Sequence, residues 1–129
     1  MSRSPCPCGL PAPYEACCGR FHHGDAAPTA ELLMRSRYAA FAVGDEAYLR
    51  RTWHASTRPR RIGLDPRTRW TRLEVLATTA GGPDDDEGTV EFRAHHDGPD
   101  QDGGVLHENS RFERAGGRWV YVNGDLTGG

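Results

Sequence analysis

All four cysteines of the chain lie in its first eighteen residues, as Cys6-x-Cys8, eight intervening residues, then the vicinal pair Cys17-Cys18. Thiols gathered this closely point to one shared task. A disulfide inside Cys-x-Cys or between vicinal cysteines is geometrically strained. The opening stretch MSRSPCPCG also lacks the apolar run that would carry a chain to an oxidising compartment. Cross-pairing of the two dyads as disulfides is the competing arrangement. Four thiolates closing on one ion suit tetrahedral zinc, with metal–sulfur bonds of about 2.3 Å and no position left for water. One structural zinc per chain, held by Cys6, Cys8, Cys17 and Cys18, is therefore expected.

The loop between the dyads suits that task. Gly9, Pro11 and Pro13 break regular structure and let the chain wrap an ion, while Tyr14 to Cys18 begins a short helical turn. Main-chain N–H groups there would soften the negative charge of a four-thiolate site, with Arg3 and Arg20 flanking it. His22 and His23 follow closely and are alternative ligands only if a cysteine were oxidised; otherwise they read as helix-end or surface histidines. A zinc site contributes on the order of 10 kcal/mol in small metal-folded peptides. This chain would feel its loss, because Leu, Ile, Val and Phe together number only 20 of 129 residues and the core must be thin.

Elsewhere the chemistry-bearing residues are sparser. All sixteen basic residues are arginine, which excludes lysine-centred covalent chemistry. No phosphate-binding glycine loop, nucleophile elbow or paired-histidine metalloprotease pattern occurs. A net charge of -2 with scattered signs gives no field for nucleic acid or an anionic membrane. The arginines between Arg58 and Arg72 read as a solvated loop, and Asp84 to Glu87 as a hairpin tip. No segment approaches the roughly 20 apolar residues that span a bilayer, and the expected location is the cytoplasm. Glu108 stands out, because it alternates with Leu106, Ser110 and Phe112 while His107, Asn109 and Arg111 take the opposite face. Burial would make it an acid or base. The structural alternative is a clip to Arg35 or Arg37.

The elements that must position these groups follow from the pattern. Thr29 reads as an N-cap and Gly44 as a left-handed stop, so a helix spans the segment with Leu32, Leu33, Ala40 and Phe41 inward. Asp45 restarts the chain into a second helix from Glu46 to about Trp53. From Trp70 the period falls to two, with Leu73, Val75 and Ala77 inward. Val90, Phe92 and Ala94 continue the alternation, then residues 105 to 114, and Ala115-Gly116-Gly117 turns into Arg118 to Asn123. Helices followed by a four-strand meander give an α+β domain with helices on one face of a curved antiparallel sheet. Three tryptophans and four tyrosines supply its bulk.

The segment PCPCGLPAPYEACCGRFHHG resembles the SEC-C motif, a short zinc module best known in the SecA translocation ATPase. LMRSRYAAF, YLRRTWHASTRP, HENSRF and GGRWVYVNGD, taken in order, resemble the YchJ-type family of small bacterial proteins. One departure is Gly9-Leu10-Pro11, where the motif usually has Gly-Ser-Gly. The resemblance implies a zinc module over residues 1–24 and, over 25–129, a cone like that of nuclear transport factor 2 (NTF2) and ketosteroid isomerase. It also implies protein or ribosome contacts through the module, and pairing of two copies through the sheet. The cone usually encloses a pocket, for which Arg37, Tyr38, His54, His107, Glu108 and Arg111 are the candidates. A non-catalytic adaptor or binding protein is the leading expectation. Isomerase or hydrolase chemistry in the pocket, and zinc as a bare staple, are the alternatives.

Overall fold

Local capping sets the helices. Thr29 Oγ1 accepts the N–H of Leu32 at 3.1 Å and starts α2, Ala30–Val43, which Gly44 ends at φ +81°. Asp45 then caps α3, Glu46–Arg51, by accepting the N–H of Tyr48. Ahead of them lie a 3-10 turn at Tyr14–Ala16 and the short α1, Cys18–His22. The chain is seen in a computed structural model that describes residues 6–62, 64, 68–97 and 103–126. The second helix stops two residues short of the Trp53 expected from sequence.

Strands β1 (Arg69–Ala80), β2 (Glu87–Asp97), β3 (Gly103–Ala115) and β4 (Arg118–Leu126) form one antiparallel meander in chain order. Arg3, Arg67 and residues 98–102, between β2 and β3, fall outside the described residues. One inward assignment is corrected. Val75 pairs with Phe92 but Ala77 pairs with Glu91, so a bulge at Leu76 shifts the phase and leaves Ala77 exposed on the outer face.

The edge of β4 is not left open. Residues 52–54 lie along it, with Tyr121 N–H donating to Thr52 O and His54 N–H to Tyr121 O, both at 2.7 Å. The core sits between α2 and the inner face of the sheet, built from Leu33, Met34, Leu49, Leu73, Val90, Phe92, Phe112 and Trp119. Helix α2 is buried on a second side as well: Ala39 packs among the four cysteines. That double burial explains a helix rich in alanine, since small side chains let two layers approach it closely.

Candidate metal centre and cavity

The loop from Cys6 closes on itself, Cys6 N–H donating to Ala12 O at 2.8 Å and Gly9 N–H to Cys6 O at 3.1 Å. The 3-10 turn then delivers Cys17 and Cys18. All four Sγ atoms lie within 4.8 Å of one another, and all four residues are buried. The Cys8 and Cys17 sulfurs are 3.6 Å apart. A disulfide bond is about 2.05 Å long, whereas metal–sulfur bonds of about 2.3 Å in a tetrahedron give sulfur–sulfur edges of about 3.8 Å. The thiols are free, and the cluster could hold a metal ion.

Electrostatics point the same way. The Cys6 thiol is pulled down to about 2, first by contact from Cys18, then from Cys8, with the N–H groups of Cys8 and Cys18 assisting. Cys18 is pushed up, first by its contact with Cys6, then by Cys8 and burial. The crowded, buried thiols of Cys6, Cys8 and Cys18 thus titrate together, as one group in which further ionisation is resisted. A divalent cation removes that resistance. His22 and His23 are not part of this cluster.

His22 serves as a clamp, a role the sequence reading missed. Its Nε2 lies 2.8 Å from Ser36 O in α2 and its Nδ1 2.5 Å from Tyr14 OH. A carbonyl can only accept, so Nε2 carries the proton and Tyr14 donates to Nδ1. The ring also packs on Tyr48, centroids 4.5 Å apart. Arg35 adds a second tie, Nη1 donating to Cys8 O at 2.9 Å and Nε to Glu31 at 2.9 Å. Arg51 adds a third by donating to the open carbonyl end of α1, at Phe21 O and His22 O. The cysteine loop is docked on α2 and α3 rather than free.

On the other side of α2 is a cavity of about 250 Å³. Met34, Arg37, Tyr38 and Phe41 face it from the helix, Trp70 from β1, Glu108 and Ser110 from β3, Tyr121 from β4, and Trp53 from the segment along the β4 edge. Of the six candidates, Arg37, Tyr38 and Glu108 line this cavity, and His54, His107 and Arg111 are not among its lining residues. His107 is turned outward to Glu91 at 2.7 Å, and Arg111 outward to Asn123 and Asp125. Strand alternation forbids them the face Glu108 occupies. His54 sits in the loop after α3, its Nδ1 2.7 Å from Ser56 Oγ.

The expected arginine clip on Glu108 is also corrected: among the described residues no guanidinium lies within 4 Å of its carboxylate. Glu108 Oε1 instead accepts from Ser110 Oγ at 2.6 Å and Tyr121 OH at 3.2 Å. Arg37 donates from Nη1 to Leu49 O and Thr52 Oγ1, and its guanidinium lies over the Trp53 and Tyr121 rings at 5.0 and 4.7 Å. Burial lowers it to about 10, with Tyr121, Tyr48 and Glu108 pulling the other way, so it stays charged at neutral pH. Tyr121 is raised to about 12, chiefly by burial and then by the Glu108 charge.

A family model described as "YchJ, middle NTF2-like domain" matches residues 29–124, from the α2 cap to β4. The chain belongs to the YchJ family. A UPF0225 protein of Streptomyces avermitilis is 63% identical over 122 residues, 94% of this chain and 84% of that one. Another from Streptomyces coelicolor is 58% identical over 127 residues, 98% of each. The YchJ fold is seen in a solution structure of a SEC-C motif containing protein from Rhodopseudomonas palustris, with TM-score 0.80, 32% identity and coverage of 97% and 100%. A crystal structure of a SEC-C motif containing protein from Psychrobacter arcticus has TM-score 0.75 and 28% identity, covering 98% of this chain and 84% of that one. The YchJ match therefore supports the NTF2-like α+β fold expected from sequence. No helix among the described residues is long and apolar enough to cross a membrane.

Proposed function

We propose that this YchJ-family chain is a non-catalytic ligand-binding protein whose cone cavity is the binding site and whose four cysteines hold one structural zinc. The observation that carries the reading is the position of α2 between the two sites. Ala39 packs on the cysteines and Arg35 bonds Cys8 O, while Met34, Arg37, Tyr38 and Phe41 wall the cavity. Zinc is the ion of choice because four thiolates in a tetrahedron are a soft donor set with no open position. A closed shell leaves the metal nothing to do but hold α2 in place. Among the described residues no histidine lines the cavity, and Glu108 Oε1 is already engaged by Ser110 and Tyr121.

The competing reading gives the module a protein or ribosome partner, as the SecA likeness implies. Docking on α2 and α3 confines such contact to an outer rim that includes the exposed Glu15, Ala16 and Arg20.

Toluene is a minimal probe of the cavity, read through the methyl resonances of Met34 and Ala94 in its wall. Saturable shifts in the zinc-loaded chain that vanish on chelation are expected. Equal shifts with and without metal would detach the staple from the site. No shift in the loaded chain would remove the binding function.

A further inference from the structure

Arg37 is only 6% exposed, yet among the described residues no carboxylate is in ion-pair contact with its guanidinium. A buried charge without a counter-charge is costly. Part of the group is already engaged. Its centre lies 5.0 and 4.7 Å from the centroids of the Trp53 and Tyr121 rings, and Nη1 donates to Leu49 O and Thr52 Oγ1. Nε and Nη2 have no hydrogen-bond partner among the described residues. Neither is sealed in, because the enclosed unpaired atoms are Trp53 Nε1 and His96 Nδ1. The two nitrogens therefore keep accessible surface, and Arg37 lines the cavity. Tyr38 OH is another donor without a partner among the described residues, on a side chain of the same wall. Glu108, the one carboxylate of that wall, has its Oε1 engaged by Ser110 and Tyr121 instead.

Resting on the binding reading above, we propose that the ligand is a small apolar monocarboxylate whose two oxygens accept from Nε and Nη2 of Arg37. That edge of a guanidinium is a fork that matches a carboxylate with two parallel hydrogen bonds, and the ligand brings the counter-charge the burial of Arg37 calls for. The rest of the ligand is apolar because the wall around Arg37 is: Met34, Phe41, Trp70, Phe92 and Leu106 offer it no hydrogen bonds inside the cavity. Glu108 limits the ligand to one negative charge, since a second carboxylate would meet its own sign in the same wall. The volume of about 250 Å³ holds one small ring system and excludes a nucleotide or a peptide.

Benzoate, benzamide and benzamidine share one ring and one planar head and differ in charge. Each is titrated at pH 7 into the zinc-loaded full chain, following the methyl resonances of Met34 and Ala94 used for toluene. Benzoate is expected to bind about tenfold or more tightly than benzamide, the size of one charge-assisted hydrogen bond, and benzamidine most weakly. Arg37→Met keeps most of the bulk and removes the fork. In that variant, followed at Ala94, benzoate is expected to fall to the level of benzamide or below while toluene still binds. Benzamide or benzamidine binding as tightly as benzoate in the wild type, or a preference for benzoate that survives in Arg37→Met, would overturn the proposal. Should the variant fail to fold, the wild-type ranking decides alone. If toluene binds and benzoate binds no better than benzamide, the ligand class is wrong and the cavity stands; if neither toluene nor benzoate binds, the cavity reading itself falls.

Discussion

Arg35 donates from Nη1 to the main-chain oxygen of Cys8 at 2.9 Å, joining the middle of α2 to the cysteine loop across 27 residues of chain. Its Nε is held at the same time by Glu31 one turn earlier. One planar guanidinium therefore fixes both the helix face and the main chain of a clustered cysteine. Arg35→Ala should cost about 2 kcal/mol, the range of a hydrogen bond from a charged group, and should speed zinc transfer to a chromogenic chelator severalfold. Arg35→Lys should not restore the rate, because an ammonium cannot serve both acceptors in that fork geometry. An unchanged rate in both variants would mean that the contact does not support the site.

His22 makes the other major tie, and its loss should be larger. His22→Ala removes both hydrogen bonds and the packing on Tyr48, leaving Tyr14 OH without its partner, and should destabilise the chain by about 3 kcal/mol in urea unfolding. Tyr14→Phe removes only one hydroxyl and should cost about 1 kcal/mol. Equal effects would show that the imidazole is not the centre of this contact.

Gly124 faces Ser110 across β4 and β3, and a Cβ there would lie 2.6 Å from Glu108 Cδ and 2.9 Å from Cγ. Gly124→Ala should push the Glu108 side chain off Tyr121 and Ser110. The expected result is a loss of about 1 to 3 kcal/mol in stability, as for other overpacked sites. Binding of the toluene probe in the cavity should weaken as well. Retained affinity in a folded Gly124→Ala protein would place Glu108 outside the binding site.

The bulge at Leu76 gives a test on the outer face. Ala77→Arg should be tolerated within about 0.5 kcal/mol, since Ala77 is exposed opposite Glu91. Without the bulge the same arginine would enter the core and cost several times more.

That bulge also marks where sequence reading ends. Period-two alternation located all four strands, and Thr29, Gly44 and Asp45 announced their helix boundaries, because caps and alternation are local physics. A bulge adds one residue to one strand and is fixed by cross-strand pairing, so Ala77 carried no sign of its reversal. The convergence of the four cysteines was legible because they are close in sequence. His22 was not legible as a clamp, since Ser36 and Tyr48 reach it only through tertiary packing. Glu108, singled out by its apolar neighbours, faces the cavity. His107 and Arg111 were drawn into the pocket by nearness in sequence, against the alternation that put them on the other face. The partners of Glu108 turned out to be Ser110 on its own face and Tyr121 on β4, and the covering of β4 by residues 52–54 had no sequence signature at all.

The most direct test of the central claim is zinc content by elemental analysis, paired with a thermal melt of the full chain before and after a strong chelator. The expected result is one zinc per chain and a large drop in midpoint on chelation, with loss of the near-ultraviolet signal of the core aromatics, because α2 is held between metal site and cavity. One zinc with an unchanged melt would contradict the claim that the metal site braces the cone, and no bound metal would return the four cysteines to redox chemistry.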